Sequence, residues 1–183
     1  YINSSYALIS LLGKYTALAD WKITNILDGE YICDRICEME YDALDKLKES
    51  LDGLSNRDIN AYEELMYGLL LSGLAMQMTG HSRPASGAEH HMAHFWEMAV
   101  INDEIDAYHG EKVGVGLIQV SDIYHEAVKY LKEGNFKVKD HVDIETDLIE
   151  KTFTNKELCE SIKKTNDPNL LDLIDPKVLR EKT

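Results

Sequence analysis

The chain has 183 residues, 44% hydrophobic and 28% charged, an ordinary composition for one globular core and a short length for two domains. Its 33 acidic and 19 basic residues give a net charge of −14, which argues against nucleic acid and an anionic membrane surface as partners. No apolar run reaches the roughly 18–20 residues of a membrane span, and three cysteines without a secretory segment fit a reducing cytoplasm better than a disulfide framework.

Apolar residues at Leu8, Leu11, Leu12, Tyr15, Leu18, Trp21 and Ile26 predict a helix over 7–27, stopped by Asp28 and Gly29. Ile32, Ile36, Met39, Ala43 and Leu47 predict a second over 31–51, with Cys33 and Cys37 as small apolar core residues and Asp52-Gly53 as the stop. Asn56 or Asp58 caps a third that reaches about Thr79. Its stretch from Leu65 to Met78, with Gly68, Gly73 and Ala75, reads as a buried helix packed closely by neighbours. After a loop carrying His81 and Arg83, Ser86 and Glu89 form a Ser-x-x-Glu capping box for a helix over 87–107. Gly134 ends the next, over 111–132, in which Gly114 and Gly116 permit close approach of a neighbour. Shorter helices are expected over 140–151, 155–164 and 176–180, with Pro168 and Pro176 as breaks. The alternation from Phe136 to Val142 reads as loop. The expectation is an all-α multi-helix bundle, one domain over 1–183 with a loosely packed tail after about 165.

His90 and His94 are four residues apart and therefore share one helix face. His109 opens the following helical pattern, so a third imidazole comes from a separate element. Neutral imidazoles on two elements can hold one divalent ion, and the rival reading is a set of polar histidines on a half-buried helix. His91 points about 100° away from His90 and is a poorer ligand. His81 reads as a solvated loop residue with substrate contact as its rival, and His125 and His141 read as surface residues. Trp21 and Trp96 read as core aromatics, with Trp96 near enough to His94 to line a cleft. Met76, Met78, Met92 and Met98 read as packing.

The segments SGLAMQMTGHSRPASGAEHHMAHFWEM (Ser72 to Met98), HGEKVGVG (His109 to Gly116) and LLGKYTALADWKI (Leu11 to Ile23) together resemble the sn-glycerol-1-phosphate dehydrogenases. That group sits in the superfamily of iron-containing alcohol dehydrogenases, glycerol dehydrogenases and 3-dehydroquinate synthases. The resemblance implies a helical C-terminal domain with His90 and His109 as ligands to a divalent metal (Zn, Ni or Fe). It also implies that His94 faces the nicotinamide and substrate, where it moves a proton. The implied chemistry is NAD(P)-dependent interconversion of glycerol 1-phosphate and dihydroxyacetone phosphate. A small phosphorylated polyol needs a local cationic pocket, for which Lys14, Arg83 and Lys112 are the best-placed residues.

Two departures qualify the match. The Rossmann-like half that binds NAD(P) in the family has no counterpart here, since Gly110, Gly114 and Gly116 follow no strand pattern and make no dinucleotide turn. With Tyr1 rather than Met at its start, the chain reads as the latter part of something longer, expected to self-associate or to meet a missing N-terminal domain. Ser10 falls where the family places its aspartate ligand, and a serine hydroxyl is a poor ligand beside carboxylate or imidazole. Asp20 lies about 15 Å further along a helix, too far to substitute. The expected outcome is a weakened metal site and no cofactor site, the domain being incomplete or inactive as this chain alone. Non-enzymatic helical interaction module and metal-dependent hydrolase are the readings from other classes.

Overall fold

The computed structural model describes residues 2–98, 106–134 and 144–167, with 177 and 181. Among the described residues there are nine helices and no strand, so the chain is all-α. None of these helices is long and apolar enough to cross a membrane.

The helix expected over 7–27 is two segments, α1 (Ile2–Leu12) and α2 (Lys14–Asp28), hinged at Gly13. The Gly13 amide still donates to the Ile9 carbonyl at 3.1 Å, and Ala17 donates to the Gly13 carbonyl at 3.1 Å. Gly29 ends α2 in the left-handed conformation, φ +80°. The next pattern is divided into α3 (Asp34–Glu49) and α4 (Leu51–Ser55), with the break at Ser50 and not at Asp52-Gly53. The Ser50 hydroxyl donates back to the Lys46 carbonyl at 3.0 Å, the local competition that disturbs helices at serine. Gly53 answers a packing need instead. A Cβ there would lie 2.9 Å from the Ala61 Cβ, so the glycine lets α5 (Ile59–Thr79) approach.

Asp58 caps α5 by accepting from the Asn60 amide at 3.0 Å. Ala61, Leu65, Gly68, Ser72 and Ala75 form its buried stripe. The opposite face exposes Met66, Leu70, Leu74 and Met78, so this helix is buried along one stripe only. The core joins Leu11, Leu18 and Trp21 to Ile36, Cys37, Leu44 and Leu47 of α3 and to Leu65 and Ala75. Each large side chain there contributes roughly 1.5–3 kcal/mol. Cys33, Cys37 and Cys159 are all free thiols.

The pair α6 (Ala88–Glu97) and α7 (His109–Glu133) runs antiparallel across α1 and α2. A Cβ on Gly116 would stand 2.6 Å from the Glu89 carbonyl oxygen, so only glycine permits this crossing. The helix expected to reach 107 ends at Glu97, where Met98 turns extended. No glycine or proline marks that end in the sequence, which is why periodicity overran it. Beyond it, α8 (Thr146–Thr152) and α9 (Lys156–Thr165) form a pair that docks through Phe153, edge-on to Phe95 at 5.8 Å. Of the helix expected over 140–151, α8 accounts for the part from Thr146, and 140–143 lie outside the described residues. The stretch 136–142 with His141, and nearly all of 168–183, lie outside the described residues.

Candidate metal centre

On α6, His90, His94 and Glu97 occupy positions i, i+4 and i+7, a single stripe along the helix. The antiparallel crossing brings the first residue of α7, His109, to the C-terminal end of that stripe. The Tyr108 amide donates to Glu111 at 2.8 Å, and the Tyr6 hydroxyl of α1 donates to the same carboxylate at 3.1 Å, which fixes the turn that presents His109. Ring centroids are 5.6 Å apart for His90 and His109, 5.2 Å for His94 and His109, and 6.3 Å for His90 and His94. One ion with ligand bonds of about 2.0–2.1 Å can bridge rings at such separations.

Two glutamates hold the imidazoles. Glu89 is fully buried and accepts from the Thr16 hydroxyl at 2.7 Å, the Gly87 amide at 2.9 Å and Nδ1 of His90 at 2.8 Å. Burial works to raise this carboxyl, but the bonds from His90, Gly87 and Thr16 outweigh it and hold the group below the ordinary carboxylate range. With Nδ1 engaged, His90 has only Nε2 to offer, the arrangement in which a carboxylate orients a metal-binding histidine. Glu97 faces Nδ1 of His109 at 3.0 Å and Nδ1 of His94 at 3.4 Å, with Lys112 Nζ at 3.5 Å. Desolvation opposes its ionisation, yet His109, Lys112 and His94 together hold it low. Among the described residues, His94, Glu97 and His109 form the one group whose ligand atoms all lie within 4.8 Å of one another. Imidazole and carboxylate together suit a borderline divalent ion such as Zn²⁺.

The expected capping box does not form. Ser86 makes no cap, and Gly87 occupies the cap position. The first amide of α6, Ala88, donates instead to Oδ2 of Asp20 on α2 at 2.6 Å, while the Tyr124 hydroxyl of α7 donates to Oδ1 of the same carboxylate. Asp20 is thus a long-range cap that ties three helices together. Ser10 is half-buried on α1, one turn beyond Tyr6.

The three cations separate. Lys14 is 5% exposed and its ammonium donates to the Ala85 carbonyl at 2.6 Å beneath the loop before α6. Burial pulls its pKa down, against the pull of Glu40 and Glu89. Arg83 pairs with Glu30 at 2.8 Å. Only Lys112 stands beside the histidines. His81 lies edge-on to Trp21 at 5.5 Å, Trp21 is fully buried, and Trp96 is half-buried. His91 and His125 are exposed, as are Met78 and Met98, two methionines expected to pack inside. A cleft of about 720 Å³ opens beside His94 and Glu97, walled by Phe95, Phe153, Leu158 and Ile162.

Sequence reasoning missed Glu97, Glu89 and Asp20 as parts of this centre. The His94-x-x-Glu97 spacing carried the signal for the first. The other two act across the fold, and no local pattern announces them.

No family model matches the chain. It is 42% identical over 119 residues to a protein of Bacillus licheniformis named glycerol-1-phosphate dehydrogenase (NAD(P)+), covering 64% of this chain and 30% of that one. Proteins of the same name from Bacillus subtilis and Sulfolobus acidocaldarius are 37% identical over 117 residues and 39% over 116, covering 63% and 62% of this chain. The chain spans about 30% of the length of these relatives. Over roughly three fifths of its length, in an all-helical fold, this chain is a homologue of the glycerol-1-phosphate dehydrogenases.

Proposed function

We propose that this chain is the metal- and substrate-binding helical domain of a glycerol-1-phosphate dehydrogenase-like oxidoreductase, which interconverts glycerol 1-phosphate and dihydroxyacetone phosphate with NAD(P). The observation that carries the reading is the convergence of three imidazoles from two helices, with rings 5.2–6.3 Å apart, in a homologue of proteins bearing that name. His90 and His109 are the proposed imidazole ligands, and Glu89 sets the tautomer and direction of His90. A divalent ion held there would supply Lewis-acid polarisation of a substrate oxygen. His94, 53% exposed on the same stripe, is placed to take up or return the hydroxyl proton. Lys112 is the proposed phosphate contact, being the cation that already sits at this centre.

Among the described residues no strand leads into a glycine-rich turn, and in this reading NAD(P) is bound by a partner domain. The exposed face of Met66, Leu70, Leu74 and Met78 favours a cofactor-binding partner domain or a second copy. The purified chain should bind Zn²⁺ or Ni²⁺ in calorimetry, and His109→Ala should weaken that binding by tenfold or more. It should leave NADH fluorescence unchanged. Saturable NADH binding with reduction of dihydroxyacetone phosphate by the chain alone would overturn the assignment to an isolated metal half, and absence of metal binding would overturn the metal centre.

A further inference from the structure

We infer that Glu97 is the anionic ligand of this centre. The inference rests on the metal reading above and adds a residue to it. Two imidazoles leave a divalent ion's charge uncompensated, and a carboxylate beside them balances it. Among the described residues, Glu97 is the carboxylate that shares with His94 and His109 the group whose ligand atoms all lie within 4.8 Å of one another. Its oxygens lie 3.0 Å from His109 Nδ1 and 3.4 Å from His94 Nδ1, and its side chain is 28% exposed, open to an arriving ion. Glu89, the other carboxylate of the cluster, is sealed among Thr16, Gly87 and His90 and has no face toward solvent.

The position of Glu97 follows from α6 itself. It sits one turn after His94 at the helix end, where the chain turns extended at Met98, so the carboxylate projects past the last turn toward the start of α7. Lys112 Nζ pairs with this carboxylate at 3.5 Å. Ligation of Glu97 therefore frees the ammonium for an anionic group on the substrate, coupling ion binding to phosphate capture.

Co²⁺ alone, titrated into the full 183-residue chain and followed by its visible absorption, tests this. Glu97→Gln should weaken Co²⁺ binding by at least about tenfold. Glu97→Cys should restore binding and add a near-ultraviolet thiolate-to-cobalt charge-transfer band that the unchanged chain, with its three native thiols, does not show. That band is a property of direct ligation, which a merely structural role would not produce. If Glu97→Gln leaves affinity unchanged while His109→Ala abolishes it, Glu97 is no ligand and the histidine centre stands. Weakened binding in Glu97→Gln with no band in a folded Glu97→Cys also overturns the inference, leaving Glu97 to position His109. No Co²⁺ binding by the unchanged chain overturns both this inference and the centre it completes.

Discussion

Glu89 and Glu97 lie on one helix and each meets a histidine at Nδ1, yet they live in opposite surroundings. Glu89 is closed in by three donors from α2, α6 and the turn before α6. Glu97 stands at the mouth with an imidazole on two sides and an ammonium behind it. Identical chemistry thus serves two ends. A carboxylate held by three buried donors of the fold serves to orient an imidazole, and one left with exchangeable partners is free to meet an ion.

Four changes probe that contrast. The largest effect is expected for Glu89→Ala, which leaves the Gly87 amide and His90 Nδ1 without an acceptor in the interior, while the Thr16 hydroxyl keeps the Gly13 carbonyl at 2.8 Å. A loss of about 3 kcal/mol or more in urea unfolding is expected, and a loss below about 1 kcal/mol would mean that Glu89 is no more embedded than Glu97.

A third carboxylate sharpens the comparison through pH. Glu40 on α3 is fully buried, neither oxygen has a hydrogen bond of good geometry among the described residues, and burial pushes its pKa up to about 7, against the pull of Lys14 and the nearby Ser72 hydroxyl. Its folded pKa is above the unfolded one, so the folded state holds the proton more tightly. Stability is therefore lost as pH rises from about 4.5 toward about 7. Glu89 runs the other way, because its lowered pKa makes its contribution present above the unfolded value and lost as pH falls through the folded one. Unfolding free energies should rise with pH below about 4.5 and fall between about 4.5 and about 7, and Glu40→Gln should remove the falling limb alone.

Asp20→Ala removes the cap of α6 and the partner of Tyr124. It should cost about 1–2 kcal/mol and leave Co²⁺ affinity nearly unchanged. Abolished metal binding would instead make Asp20 a ligand. The smallest expected effect on stability is that of Glu97→Gln, within about 0.5 kcal/mol in thermal unfolding, as for other exposed ion pairs, although the same change should have the largest effect on metal affinity.

What the sequence disclosed follows the reach of each signal. The three histidines were legible because spacing on a helix and the HGEKV start of the next are local facts, and the structure brings their rings together. Ser86 and Glu89 matched a local capping pattern, but a donor 73 residues away, Thr16, shares Glu89, and burial overrides the local option. Glu97 carries only its i+3 spacing from His94 as a local signal, one that any surface glutamate on a helix would share. The Leu65 to Met78 stretch is apolar on all sides, so its composition could not say which stripe the core would take.

The bond from Ala88 to Asp20 spans 68 residues, and it is what terminates the first turn of α6. Amide hydrogen exchange at that turn therefore cannot proceed by simple fraying. It requires α2 to separate from α6, a much larger opening than loss of one local cap. His90 sits within that same turn, so its backbone amide should exchange only through that larger opening, at a rate that Asp20→Ala would raise.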